Sequence, residues 1–217
     1  MENFLKIDES IHLINDINQI PETVSKAFVS FIGKVPVTGK FPKAAHVWQT
    51  ARCSAFYHHN GKSIEVTLEN SVELFCKFHG IEVKNGGCEL FKSTRMDFKD
   101  FYTGNYDYRP GKTVQAVDWI DCPKILCGNA LHLAPTLEIA KQWNEDGRIF
   151  KCKVKLKDMN VNPYNVSQVR CKSVDVPHES GCHYLHFWEQ DCDCIHYLGI
   201  QNKNKRHKLK GSGDEAL

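Results

Sequence analysis

Long apolar runs, a strong excess of one charge sign and the pattern typical of a signal peptide are all missing from these 217 residues. No apolar stretch approaches the roughly 18 residues that a membrane-spanning helix needs, so we expect no membrane partner. A formal net charge of +2 gives no global reason to expect nucleic acid or an anionic membrane as a partner. With 41% hydrophobic and 25% charged residues, the composition is that of an ordinary globular protein.

Four sequence motifs that accompany common chemistries are also absent. The chain has no GxGxxG turn between a strand and a helix, and no GxxxxGK[ST] loop for phosphates. It has neither HExxH, which holds a catalytic zinc, nor GxSxG, which presents a serine nucleophile. These absences argue against the most familiar nucleotide, zinc-protease and α/β-hydrolase sites.

The N-terminal stretch MENFLKIDESIHLIND has neither the basic start nor the apolar core of a signal peptide. We therefore expect a cytoplasmic protein whose ten cysteines are reduced thiols. A free thiol in a strand behaves as a small apolar side chain. Four cysteines lie in such contexts: Cys53, Cys76, Cys152 and Cys171.

Two helices, a hairpin and a third helix are predicted in the first 84 residues. Apolar residues recur at roughly helical spacing over residues 1–20, and a second helix is predicted over residues 22–32. Asn60-Gly61 between SAFYHH and KSIEVTLE predicts a β-hairpin, because both turn residues must adopt positive φ. Asn70 and Gly80 are the expected caps of a helix with the sequence SVELFCKFH.

The second half of the chain carries several strand-like segments and one helix. ELFKSTR, TVQAVDWI, ALHL and VSQVRCKSVDV predict strands, and LEIAKQW predicts a helix that Thr136 can cap. In RIFKCKVKLKD, apolar residues alternate with lysines, which predicts a strand with one buried face and one lysine stripe. The stripe either faces solvent or contacts phosphate.

These elements suggest three parts. Residues 1–84 form an N-terminal α/β segment with a hairpin, and residues 85–200 form a second domain. Residues 201–217 are polar and without periodicity, which is typical of a disordered tail. The basic run from Lys203 to Lys210 is a short candidate contact for RNA or DNA.

The order of segments over about residues 89–176 resembles the ADP-ribosyltransferase-like fold. LFKSTR is followed by a tyrosine-rich loop, by ALHLAPTLEIA and by the strands RIFKCKVKL and QVRCKSVDV. CGNALHL is also similar to the phrase Cys-Gly-x-Gly-Leu-His-Leu of a phage and bacterial family without known activity, with Ala130 replacing the second glycine. The resemblance implies an α+β fold, in which N-terminal helices and a β-hairpin precede a mostly antiparallel split sheet.

The resemblance assigns roles to three residues. Lys92 stands where an Arg or His would hold the nicotinamide ribose of NAD, and His132 where a tyrosine would stack on nicotinamide. Gln168 stands near the catalytic glutamate, whose charge stabilises an oxocarbenium-like transition state. Gln168 can bind a ribose hydroxyl but carries no charge, so the implied fold and ligand class are better supported than the implied transfer reaction.

A lysine and a histidine can instead hold phosphate, as in RNA phosphotransferases of related fold. Arg95 and Arg170 would add bidentate contacts to phosphate, and Tyr102 and Tyr106 can stack on a base or a nicotinamide ring. Structural alternatives stand beside these roles. His132 is also compatible with a histidine hydrogen-bonded within a short strand, and the tyrosines with a small aromatic core under a loop.

A stretch rich in Cys and His lies at residues 182–196 and contains enough thiol and imidazole ligands for a tetrahedral zinc ion. The spacing is unlike that of a zinc finger, because two cysteines are separated by one residue. The alternative is a pair of strands with buried thiols. The candidate ligands are Cys182, His186, Cys192 and Cys194.

Two functional hypotheses follow. The first is a domain that binds a nucleotide or other phosphate-bearing ligand, such as NAD, ADP-ribose or an RNA end, and transfers ADP-ribose or acts on a phosphate ester if it is an enzyme. The second is a non-enzymatic phage or bacterial binding protein that engages a host protein or nucleic acid. Convergence of Lys92, His132 and Arg95 or Arg170 on one pocket would favour the first.

Overall fold

The computed structural model describes residues 4–7, 10–13, 25–30, 41, 43–51, 54–122, 124–125, 128, 130–143, 147–177 and 183–184. Over these residues, the chain forms fourteen β-strands in three sheets and two α-helices. The protein is therefore mostly β. The predicted α+β class, with N-terminal helices ahead of an ADP-ribosyltransferase-like split sheet, is wrong.

The first sheet has six strands in the order β2-β1-β3-β4-β5-β6. Strands β3 and β4 run parallel, and the other neighbours are antiparallel. The strands are β1 (Phe4–Ile7), β2 (Ser10–Leu13), β3 (Lys26–Ser30), β4 (His46–Ala51), β5 (Ser54–His59) and β6 (Lys62–Glu65).

The predicted N-terminal helices are replaced by strands of this sheet. Phe4 of β1 lies opposite Leu13 of β2, and β1 pairs with β3 along its other edge. Apolar runs of four residues fit either a short strand or a turn of helix, and the neighbouring strands decide between them. That choice is made by contacts that are distant in sequence, which spacing alone does not reveal.

The hairpin and the helix that follow it agree with the sequence. Asn60 and Gly61 adopt φ values of 52° and 72° between β5 and β6. Helix α1 spans Ser71–His79 and ends at Gly80, which has φ 68°. Asn70 precedes the helix but does not cap it through its side chain, because its amide accepts from the backbone of Thr67 and donates to the carbonyl of Glu65 at the end of β6.

The second sheet is centred on β10, which pairs with β7 over eight residues on one edge and with β13 and β14 on the other. Strand β8 lies beyond β13, and a third sheet has the order β11-β12-β9. The strands are β7 (Gly87–Thr94), β8 (Thr113–Gln115), β9 (Leu131–Leu133), β10 (Arg148–Lys155), β11 (Met159–Asn160), β12 (Val169–Cys171), β13 (Ser173–Asp175) and β14 (His183–Tyr184).

The segment VSQVRCKSVDV forms two strands and not the single one predicted. Strand β12 belongs to the third sheet, whereas β13 belongs to the second. The chain changes sheet at Lys172, whose backbone N–H donates to the carbonyl of Asp158. The hydrophobic alternation continues through this change, so the sequence pattern does not mark it.

The alternation in β10 is confirmed. Phe150, Cys152 and Val154 are buried, whereas Lys151 and Lys153 are exposed on the opposite face. The buried face packs into a core that also contains side chains of α1, β4, β5, β7 and the third sheet. Helix α2 (Leu137–Trp143) packs on β7 and β10, and Thr136 caps it by accepting from the backbone of Ile139.

Candidate anion-binding site

Lys92 is a buried cation on the core side of β7. Its residue surface is 8% exposed, and it lies opposite Phe150 of β10. The ammonium donates to the backbone carbonyl of His132 at 3.1 Å and lies 4.9 Å from the ring centre of Tyr108. Burial lowers the pKa of Lys92 to about 8, and the charge of Asp100 opposes that shift.

The hydrogen bonding of this ammonium is incomplete within the part of the chain that the structure describes. An ammonium has three donors, and the carbonyl of His132 accepts from one of them. The carboxylate of Asp100 is taken up by its own loop, because it accepts from the backbone N–H groups of Thr103 and Tyr106 and from the Thr103 hydroxyl. Lys92 is therefore a desolvated charge to which no carboxylate of the described residues is hydrogen-bonded.

Tyr108 borders the ammonium and is fully buried, with 0% of its surface exposed. Its hydroxyl has no hydrogen-bond partner among the described residues. Burial raises the pKa of Tyr108 well above its ordinary value, so this hydroxyl keeps its proton. A buried hydroxyl of this kind costs free energy unless something bonds to it.

His132 is close enough to two cations, Lys92 and Arg170, for their charges to act on its pKa. It pairs with Arg170 across β9 and β12, and its own carbonyl accepts from Lys92. Burial, followed by the charges of Lys92 and Arg170, lowers the pKa of His132 to about 4, so the imidazole is neutral near pH 7. Its Nε2 atom has no hydrogen-bond partner within the described ranges.

Arg170 is 2% exposed and is held rigidly. It donates to the backbone carbonyls of Cys122 at 2.7 Å and Ile120 at 3.1 Å. Its guanidinium carbon lies 5.3 Å from the ring centre of Trp119. These contacts fix the guanidinium next to His132, where it adds positive potential to the site rather than reaching out to a ligand.

Backbone pairing brings Lys92 to His132. Phe91 and Ala134 form an isolated antiparallel bridge in which each N–H donates to the other's carbonyl, at 2.9 and 2.7 Å. This bridge joins β7 to β9 across two sheets. The neighbouring residues, Lys92 and His132, are therefore close although forty positions separate them.

The other predicted site residues do not join this group. Arg95 is exposed and lies 3.8 Å from Asp97, and Tyr102 is 94% exposed. The hydroxyl of Tyr106 accepts from the backbone of Val117. Gln168 is half-buried and lies just before β12, and nothing in the structure assigns it a catalytic part.

Two residues that the sequence analysis did not select also contribute. Asp100 is the carboxylate whose charge acts on Lys92, and Trp119 packs on Arg170. Both lie in irregular loops whose course depends on long-range contacts. Trp119 lies in TVQAVDWI, which predicts a strand, but the strand covers only Thr113–Gln115.

The predicted zinc ligands, Cys182, His186, Cys192 and Cys194, lie outside the described residues. Within the described residues, no group of three or more His, Cys, Asp or Glu side chains is arranged to hold a metal ion. The zinc site stays a prediction. Neither of the two helices described here is long and apolar enough to span a membrane.

The contacts place a buried ammonium beside a protonated phenol and the backbone carbonyl of His132. The neutral imidazole of His132 and the fixed guanidinium of Arg170 belong to the neighbouring strand pair of β9 and β12. Hydrogen bonds to charged groups are stronger than those between neutral groups, and low solvent exposure strengthens them further. Comparison with protein-family models, with curated proteins and with solved structures finds no match for this chain.

Proposed function

We propose that the site formed by Lys92, Tyr108 and His132 binds a phosphate-bearing ligand, and that a nucleotide such as NAD, ADP-ribose or an RNA end is the class to test. One observation carries the proposal. The buried Lys92 ammonium lies beside the Tyr108 ring, and the Tyr108 hydroxyl has no hydrogen-bond partner among the described residues. Phosphate oxygens accept hydrogen bonds and carry the negative charge that such a site lacks.

The free-energy cost of burying the Lys92 ammonium supports a functional role for this residue. Burying an ammonium costs free energy, and a well-packed apolar side chain at such a position is often neutral or more stable. The hydrogen bond to His132 and the contact with the Tyr108 ring offset part of that cost. A ligand that pairs with the ammonium would offset the rest.

We propose binding of a ligand, and an activity assay tests whether a reaction follows. In transferases of the family that the sequence resembles, a glutamate supplies negative charge, and Gln168 carries none. Transfer of ADP-ribose or action on a phosphate ester is the activity to assay if NAD or an RNA end binds. A cytoplasmic setting is part of the proposal, because the described cysteines are free thiols.

Thermal unfolding with and without ligand tests the proposal. The full chain is heated with inorganic phosphate, ADP, ADP-ribose, NAD or a 5′-phosphorylated RNA. A ligand at about 100 times its dissociation constant adds about 2.7 kcal/mol of stability if it binds only the native state. We expect a higher Tm with at least one ligand, lost in Lys92→Met and retained in Lys153→Met, which alters the exposed face of β10.

A second candidate function is the binding of a host protein or nucleic acid without catalysis. The observation that favours it is a turn that presents two aromatic side chains, Tyr102 at 94% and Phe101 at 53% exposure. Asp100 fixes this turn through its bonds to Thr103 and Tyr106. Loss of partner binding in Tyr102→Ala, with ligand binding intact, would assign the function to this turn.

A further inference from the structure

One position on the outer edge of β7 has no backbone partner among the described residues. Phe91 exchanges two hydrogen bonds with Ala134, and Gly87 exchanges two with Lys84. Alternate residues of a strand direct their N–H and C=O groups to the same edge, so those of Glu89 also point away from β10. No described backbone group bonds to Glu89 at that edge.

The segment that pairs with Phe91 leaves this edge before it reaches Glu89. Antiparallel continuation of the pairing would bring Thr136 opposite Glu89. Thr136 caps α2 instead, where its carbonyl accepts from the backbone of Ala140 and its hydroxyl from that of Ile139. The ladder along β7 is therefore interrupted at Glu89.

A cavity of about 750 Å³ adjoins this interruption. It is lined by Glu89, by Gly87 and Phe91 on either side of it along the strand, and by Leu137 of α2. Its volume lies within the roughly 300–1,000 Å³ of ligand sites in proteins. Because an unpaired N–H and C=O at a sheet edge are a template for another strand, the cavity suits a ligand with an extended backbone.

The charges beside the open edge favour a basic ligand. Glu138 is exposed at the start of α2 and lines the cavity together with Glu89. Lys84 lies on the same side but is paired with Glu82 at 2.9 Å. Lys151, like the other two lysines of β10 that line the cavity, lies on the far side of β7 from this edge. Opposite charges on adjacent strands attract, so a lysine or arginine is preferred opposite Glu89.

We propose that the open edge of β7 binds an extended peptide segment with a basic side chain opposite Glu89. The peptide residue at that position donates its N–H to the carbonyl of Glu89 and accepts from the N–H of Glu89. Its neighbours contact the apolar side chains that line the cavity, among them Ile81, Phe91 and Leu137. In complexes of this kind, main-chain hydrogen bonds supply affinity and side-chain contacts supply specificity. The site is separate from Lys92 and goes beyond the proposed function.

Amide hydrogen exchange on the full chain tests the open position first. We expect the N–H of Glu89 to exchange fast, whereas that of Phe91, which donates to Ala134, exchanges slowly. The capped peptide acetyl-Thr-Val-Arg-Val-Thr-amide should then slow the exchange at Glu89. Protection of Glu89 in the free protein would overturn the inference, because the edge would already be paired.

Matched peptides and variants separate backbone pairing from charge attraction in a calorimetric titration. N-methylation of the central arginine removes the donor to Glu89 and should weaken binding about fivefold, as expected for one hydrogen bond. A peptide with a central glutamate should also bind more weakly, and Glu89→Gln should reduce this preference. Glu65→Gln, an exposed control on β6, should change neither result. Absence of binding by the arginine peptide, or equal binding after N-methylation, overturns the inference.

Discussion

The Lys92 ammonium donates to the backbone carbonyl of His132 at 3.1 Å, which links β7 of the second sheet to β9 of the third. The two residues lie forty positions apart, and the bridge between Phe91 and Ala134 holds them together. This contact places a buried cation against the backbone of β9.

Replacing Lys92 by methionine should leave the protein as stable as before or more stable. The apolar side chain removes the cost of a buried charge, and we expect the free energy of unfolding to be unchanged or higher by up to about 3 kcal/mol. Urea denaturation at pH 7 measures this, with Lys153→Met as an exposed control expected within about 0.5 kcal/mol of the original. A loss of more than about 2 kcal/mol in Lys92→Met would mean that the ammonium is kept for structure.

Stability should depend on pH through Lys92. Its folded pKa of about 8 lies below the ordinary value of 10.5, so the unfolded chain binds more protons between these values. Its contribution to stability therefore rises with pH from about 8 to 10.5. The buried thiols act oppositely, because burial raises the pKa of Cys152 to about 12. The difference in unfolding free energy between the original protein and Lys92→Met isolates the lysine, and a difference independent of pH contradicts the account.

Acid should destabilise the fold through buried neutral histidines. Burial lowers the pKa values of His58 and His132 to about 4 and that of His79 to about 3. The unfolded chain takes up protons below about 6.5 and the native chain does not, so stability falls as the pH drops from 6.5 towards 4. Urea midpoints across this range should fall less steeply in His132→Gln. An equal change of the urea midpoint with pH in both proteins would show that His132 is solvated in the native state.

The stretch at residues 182–196 should carry zinc. Elemental analysis of the purified protein should find about one zinc ion per chain, since four thiolate or imidazole ligands complete a structural site. A Cys192→Ser, Cys194→Ser double variant should lose the metal, and Cys122→Ser should keep it. Zinc-free protein, or zinc retained by the double variant, would favour the alternative of strands with buried thiols.

The sequence predicts those elements whose signals are local. Asn60-Gly61 marks a hairpin because both residues need positive φ, and β10 alternates because one of its faces is buried. The N-terminal strands are mistaken for helices, because the pairing of Phe4 with Leu13 and of β1 with β3 is invisible in spacing. Strand signals of this kind depend on neighbours that are distant in the chain.

The predicted convergence on one concave pocket is not seen among the described residues. Lys92 donates to the backbone carbonyl of His132, which pairs with Arg170, but Lys92 and Arg170 lie in the interior and not along an open cleft. Arg95 and Tyr102 stay at the surface, since the loop after β7 turns outward at Asp100. Burial and loop course depend on packing between sheets, which motif order does not encode.

The central claim is that Lys92 and His132 hold a phosphate-bearing ligand, and isothermal titration calorimetry with ADP tests it most directly. A hydrogen bond to a charged group contributes about 1.5–3 kcal/mol. We therefore predict that Lys92→Met weakens binding at least about tenfold, while Lys153→Met leaves it unchanged. Equal affinity of ADP for the original protein and Lys92→Met, or no heat of binding with either, would contradict the account.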